Sequence, residues 1–290
     1  MSAVIAANPR PAATVVVLRD GPGGPEVFMV RRHADTAFMG GAHVFPGGRV
    51  DAADAGADES WCDGIAHAAR QLDGLPSYEA VAYHVAAVRE LFEEAGVLLA
   101  RHEDGDFVSL AGADHHERLK RDRARVHQGE TTLRAVIERE GLRLALDSLV
   151  LFAHWVTPPI DSRQFDTRFF MTRVPPDQTP AHDDTETTHS LWARPADAIA
   201  QAGRDEIVLP PPTWSTLREL EPFESVNQAL AWASARTIVR RMPKAIEQDG
   251  RRMLLLPGDP LHPDPAGDDP PRETRFVLID RRWRPERPPT

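Results

Sequence analysis

The 290-residue sequence holds a single cysteine, Cys62, two tyrosines and only two lysines, Lys120 and Lys244. One cysteine excludes an intrachain disulfide and suits a reducing compartment. No apolar run approaches the roughly 18 residues of a membrane span, and the N-terminus lacks the basic-then-apolar order of a secretion signal. These shortages predict a cytoplasmic protein with no membrane partner. Acidic residues outnumber basic ones 44 to 34, a formal net charge of −10, which argues against general nucleic-acid affinity. A polyanionic ligand would then need a metal ion or a local arginine cluster. The basic charge is almost wholly arginine, which suits bidentate phosphate contacts, and a hydrophobic content of 41% suffices for a sizeable core.

Strand and helix patterns alternate along the chain without a repeat. Residues 14–19 and 27–32 flank Gly21-Pro22-Gly23-Gly24 and predict a β-hairpin. Residues 38–48, rich in glycine, predict a loop whose backbone can approach a ligand. Ser77 is positioned to cap a helix over 78–95, and a strand is predicted at 97–100. Helices at 117–126 and 131–140 precede strands at 150–156, 167–174 and 189–194. A short helix after Pro195, helices at 213–220 and 225–240, a surface loop at 257–271 and a strand at 275–280 complete the reading.

The most informative stretch is Arg89-Glu90-Leu91-Phe92-Glu93-Glu94-Ala95-Gly96-Val97. At 100° per residue, Glu90, Glu93 and Glu94 share one helix face, opposite Val88, Leu91, Phe92 and Ala95. Like charges at these spacings repel, and Gly96 reads as a C-terminal cap, so the cluster sits at the unfavourable end of the helix dipole. Arg89 alone offsets it locally. Bound divalent cations would explain such a concentration of hard oxygen donors, with magnesium or manganese preferred over zinc. A solvated acidic face is the competing reading.

Gly47-Gly48, an acidic residue at Asp54 and then Arg-Glu-Leu-x-Glu-Glu-x-Gly-Val resemble the Nudix box. The second half matches fully at Arg89, Glu90, Leu91, Glu93, Glu94, Gly96 and Val97. The first half departs from it: Asp54 stands where glutamate is usual, and 34 residues separate it from Arg89 where seven are usual. This interrupted box is similar to that of the peroxisomal, coenzyme A-cleaving Nudix hydrolases. The likeness extends to Phe38-Met-Gly-Gly-Ala-His-Val-Phe, Phe152-Ala-His-Trp-Val-Thr-Pro, Phe165-Asp-Thr-Arg-Phe-Phe, Leu209-Pro-Pro-Pro and Leu256-Pro-Gly-Asp, and covers about residues 15–259. The C-terminal Pro288-Pro289-Thr290 carries no peroxisomal address.

The resemblance implies an α/β/α sandwich with a mixed sheet, here with a helical C-terminal elaboration. The expected organisation is a Nudix domain over 1–200, with insertions at about 55–77 and 102–147, and an elaboration over 201–290. It implies that Glu90, Glu93 and Glu94 bind Mg2+ or Mn2+, that Arg89 holds a carboxylate, and that Gly47 and Gly48 form the loop before the helix. Asp54 is a further metal candidate, and Glu186 a candidate base that competes with a solvated loop at Asp183-Asp184-Thr185-Glu186. In the coenzyme A motif upstream of the box, Arg32, Gly41 and Phe45-Pro46-Gly47-Gly48 match, whereas His33 and Ala37 depart. Arg31, Arg32, Arg163 and Arg168 are candidates for the adenosine 3′-phosphate, against a surface or strand-edge role for each. Phe165, Phe169, Phe170, Trp155 and Trp192 favour core packing over stacking on adenine; His43, His154 and His189 lack zinc spacing. The 55–77 insertion, with Trp61, Ile65 and Leu72, favours packing on the domain over covering the site or forming a homodimer.

The implied activity is metal-dependent cleavage of coenzyme A or acyl-coenzyme A into adenosine 3′,5′-bisphosphate and the phosphopantetheine part. Alternatives are the same chemistry on ADP-ribose, NADH or dinucleoside polyphosphates, and a nucleotide-binding module with weak catalysis.

Overall fold

The computed structural model describes residues 8–34, 40–110, 113–159, 163–183, 186–265, 267 and 271–288. The motif positions Ala37 and Phe38 and the Asp184-Thr185 part of the acidic loop lie outside the described residues. The central mixed sheet is built on a hairpin of β1 (Arg10–Gly21) and β2 (Gly24–Arg32), with β3 (His43–Val44) on β2 and β4 (Gly47–Arg49) on β1. Between these and the later strands come β5 (Cys62–Asp63), β6 (Ala100–Arg101) and β7 (Arg143–Ala145), which form a separate small sheet. The central sheet continues with β8 (Val150–Val156), β9 (Phe165–Arg173), β10 (Thr187–Ala193) and β11 (Arg240–Arg241), in the order β10-β2-β1-β9-β8-β11. The β1–β9 and β8–β11 pairs are parallel.

The side chains of β1 alternate between two cores, as strand geometry requires. Val15 and Val17 join one core with the helix α2 (Ser77–Ala95), while Val16 and Leu18 join the other with the C-terminal helices. Those are α5 (Pro195–Gly203), α6 (Pro211–Leu220) and α7 (Val226–Ala235). The sheet is therefore covered on both faces, the expected α/β/α arrangement. The first core also takes α1 (Ile65–Gln71), α3 (Ala113–His127) and α4 (Leu133–Glu140), contributed by the segments 55–77 and 102–147.

These two segments are joined to each other. Cys62 and Asp63 pair parallel to Leu144 and Ala145, and Ala100 pairs antiparallel to Leu144. Trp61 and Leu72 are buried in the same core, so the 55–77 segment packs on the domain.

Several local expectations are corrected. Ser77 is the first helical residue rather than the cap; the Pro76 carbonyl accepts from Glu79 and Ala80 N–H, so no side-chain cap is made. Residues 97–99 run outside any strand, because the Gln178 side chain satisfies both the N–H and the C=O of Leu98 in place of a ladder. The helix over 225–240 stops at Ala235, where the β-branched Thr237-Ile238-Val239 run favours extended backbone. The C-terminal elaboration carries its helices but also an antiparallel sheet of β12 (Lys244–Gln248), β13 (Arg251–Leu255), β14 (Arg275–Ile279) and β15 (Arg282–Glu286). Asp249-Gly250 and Asp280-Arg281 turn its hairpins, all at positive φ, as tight hairpins require. The start of the expected 257–271 loop, of which 266 and 268–270 lie outside the described residues, is tethered by a buried two-point pair between Arg275 and Asp259, at 2.9 Å for each bond.

Candidate active site

The last turns of α2 carry the three glutamates, and Gly96 ends the helix at φ +68 with its N–H on Phe92 O. Strand β4 lies beside this end because Ala13 pairs with Gly48 on β1. Gly47 N–H donates to Glu94 Oε2 at 2.9 Å. A Cβ on Gly48 would overlap the Glu90 carboxylate, and one on Gly47 would meet the backbone of β1. Glycine is thus required twice, to let backbone close on the carboxylates.

Arg89 organises the cluster. Its Nε and Nη2 donate to the two oxygens of Asp54 at 2.8 and 2.9 Å. Nη2 also reaches Arg49 O at 2.8 Å, and Nη1 reaches Glu90 Oε1 at 2.8 Å and Glu93 Oε1 at 3.0 Å. Asp54 is only 1% exposed, and its Oδ2 accepts from Asp51 N–H as well. Asp54 therefore holds Arg89, and Arg89 aims the glutamates. Burial pulls the Arg89 pKa down, but the Asp54 hydrogen bonds and the surrounding carboxylates hold it above its ordinary value.

The negative charge is buried, contrary to the solvated-face alternative. Glu93 and Glu94 are 8% and 3% exposed. Burial pushes Glu90 up to about 7, with Arg89 opposing and Glu93 adding to the shift. Burial, then Glu90, raises Glu94 well above the usual carboxylate range, against the Gly47 N–H and Arg32; Glu186 adds to the rise. Asp54, Glu90 and Glu93 thus share Arg89 in low dielectric, with Glu94 held by a backbone N–H beside them, a donor set that a hard divalent cation would neutralise. Among the described residues, no three His, Cys, Asp or Glu side chains converge on one point in a metal-holding geometry. Glu90 and Glu93 are turned onto Arg89 instead.

The structure brings some of the remaining candidates to this centre and leaves others apart. Arg32 and Glu186 lie within electrostatic reach of Glu94, at the adjoining ends of β2 and β10, where His33 N–H bonds Glu186 O. Arg31 pairs in register with His43 and His189, and by strand alternation falls on the face opposite Arg32. Arg168 is bonded to Asp166 and lies over the Tyr83 ring at 5.3 Å. Tyr83 is seven to eleven residues before the glutamates, or roughly 10–16 Å along the helix, so Arg168 is not part of the carboxylate cluster. Arg163 is exposed in the β8–β9 connection. Phe169, Phe170 and Trp155 are buried core residues, as expected.

Two neighbours had no sequence signal. His127 Nδ1 lies 3.4 Å from Glu93 Oε2, and Arg123 donates to Glu93 O at 2.8 Å and to Ala181 O at 3.0 Å. Their spacing of four residues puts both on one face of α3, but nothing local says that this face meets α2.

Comparison with known proteins agrees with this geometry. The family model "NUDT19 Nudix domain" matches residues 66–220, which include the glutamate helix. The Gallus gallus "Acyl-coenzyme A diphosphatase NUDT19" is 29% identical over 306 residues, covering 88% of this chain and 80% of that protein. Its Homo sapiens counterpart is 30% identical over 300 residues, covering 90% and 79%. The solved structure of a Nudix hydrolase from Alicyclobacillus acidocaldarius superposes with a TM-score of 0.64 at 27% identity, covering 80% of this chain and 99% of that one. Sheet, glutamate helix and glycine loop together define a Nudix hydrolase. Within that superfamily, the chain belongs to the NUDT19 Nudix domain family.

Proposed function

We propose that this Nudix hydrolase cleaves the pyrophosphate of coenzyme A or acyl-coenzyme A, releasing adenosine 3′,5′-bisphosphate and (acyl-)4′-phosphopantetheine, with Mg2+ or Mn2+ held by Glu90, Glu93 and Glu94. The observation that carries it is the buried excess of carboxylate on α2, closed over by Gly47 and Gly48. The substrate follows from the acyl-coenzyme A diphosphatases to which the chain is similar over most of its length.

Bound divalent cations would supply charge to the phosphate oxygens and acidity to a water. The protein's own residues do the positioning. Gly47 N–H fixes one Glu94 oxygen, and Asp54 locks Arg89, which in turn directs Glu90 and Glu93. Arg32 offers a guanidinium to the substrate phosphates from the side of Glu94. Glu186, exposed on the same side, is available to take the proton of the attacking water. Water's oxygen bonds to phosphorus, the bridging P–O bond breaks, and the leaving phosphate oxygen takes up a proton. A cytoplasmic location accompanies this reading, supported by the lone, buried Cys62.

Product analysis by mass spectrometry tests the proposal, with coenzyme A, ADP-ribose and NADH as substrates, each with magnesium, manganese or a chelator. Adenosine 3′,5′-bisphosphate formed fastest among the products, only with metal and not by Glu94→Gln, is the expected result. AMP from the other two substrates alone would reject the coenzyme A reading.

A further inference from the structure

A cavity of about 280 Å³ opens beside Glu93 and Arg89. Its walls come from both insertions: Trp61 from the segment that interrupts the box, and Val126, Thr131 and Leu133 from the α3–α4 region, with Val85 of α2 between them. The volume is far above that of a single water and close to the lower end for small-molecule sites. Trp61 is itself buried, at 2% exposed.

We infer that this cavity receives the uncharged aliphatic, amide-bearing arm of the substrate, the pantetheine side of the scissile pyrophosphate. The inference rests on the coenzyme A reading given above and assigns the half of the molecule that the carboxylate centre does not hold. Three features select this arm over the nucleotide. Val85, Val126 and Leu133 give aliphatic walls suited to a branched alkyl chain. The Trp61 ring is covered by Arg134, with the guanidinium 5.4 Å from the ring centroid, which competes with base stacking. Asp51, Asp54 and Glu93 line the cavity together with Arg89, His127 and Arg134, and these three are already engaged by carboxylates, so an additional phosphate entering there would find no uncommitted positive charge in the wall. The arm joins the pyrophosphate directly, and the cavity joins Glu93 directly.

Calorimetric titration in magnesium, on a Glu94→Gln background to prevent turnover, tests this with coenzyme A and with adenosine 3′,5′-bisphosphate, which lacks the arm. Filling the cavity by Thr131→Trp or Leu133→Phe is expected to weaken coenzyme A at least tenfold and leave the bisphosphate within twofold. Thr131 is only half-buried, so its variant guards against misfolding of Leu133→Phe, and thermal melts identify the folded variants. Unchanged coenzyme A affinity in a folded, filled variant, or parallel weakening of both ligands, overturns the inference. Binding of ADP-ribose without any binding of coenzyme A by the Glu94→Gln parent overturns the substrate reading and this inference with it.

Discussion

Arg89 and Asp54 meet through two parallel hydrogen bonds of 2.8 and 2.9 Å across 35 positions of sequence. Both side chains are nearly closed to solvent, so each is the other's compensation for burial. Removing one partner of such a pair strands the other charge, a loss of about 3 kcal/mol or more. Asp54→Ala is expected to lower unfolding free energy by about that amount and turnover by at least tenfold, read by urea denaturation and steady-state assay. Arg89→Lys should not restore either, since an ammonium cannot span both oxygens while also reaching Glu90 and Glu93.

Gly48 tests the closeness of backbone to carboxylate. A methyl group there overlaps the Glu90 carboxylate, whereas at Gly47 it strikes the Ala13 carbonyl and Thr14. Gly48→Ala should leave the fold intact by circular dichroism and reduce kcat/KM at least a hundredfold. Gly47→Ala should lower the melting temperature as well, because backbone cannot yield as a side chain can.

His84 governs part of the acid stability. Its Nδ1 donates to Ala80 O at 2.8 Å, which leaves Nε2 to accept from Gln71, and burial pushes its pKa down to about 4 despite the Ala80 bond. Above pH 6.5 the ring is neutral in both folded and unfolded chains and has no effect on the balance. Between about 6.5 and 4 only the unfolded chain takes the proton, so stability falls as pH falls, by about 3 kcal/mol over that window. Burial pushes His43 down to about 4 as well, so urea denaturation at pH 7 and pH 4.5 should show the sum of both losses, and His84→Leu should remove its own share while leaving that of His43.

Cys62 is the chain's one thiol. Burial, with Asp58 adding, raises its pKa to about 12, and the thiolate is the reactive form. Iodoacetamide at pH 8 is expected to label the native protein at less than a tenth of the rate in denaturant; equal rates would mean that the β5 region opens readily.

What the sequence revealed and what it hid follow from the range of the forces involved. The glutamate helix, its Gly96 cap and the β1–β2 hairpin rest on local periodicity and turn chemistry, and they appear where expected. Asp249-Gly250, between Ala245-Ile246 and Met253-Leu254, is an equally local hairpin signal that the helical reading of the C-terminal part passed over. Gln178 on Leu98 and His127 beside Glu93 are of another kind, joined across 80 and 34 positions by packing with no local pattern. The burial of Glu93 and Glu94 was hidden for the same reason: a helical wheel shows which residues share a side, not what covers it.

The interruption between Asp54 and Arg89 has a thermodynamic consequence. Closing a flexible segment becomes harder only with the logarithm of its length, so extending seven residues to 34 adds about 1.4 kcal/mol of chain entropy. The doubly bonded pair that joins its ends, and the core its own Trp61 and Leu72 enter, are of larger scale than that. The distance that defines this motif is therefore measured through space, and the number of residues strung between its halves is a quantity that selection was free to change.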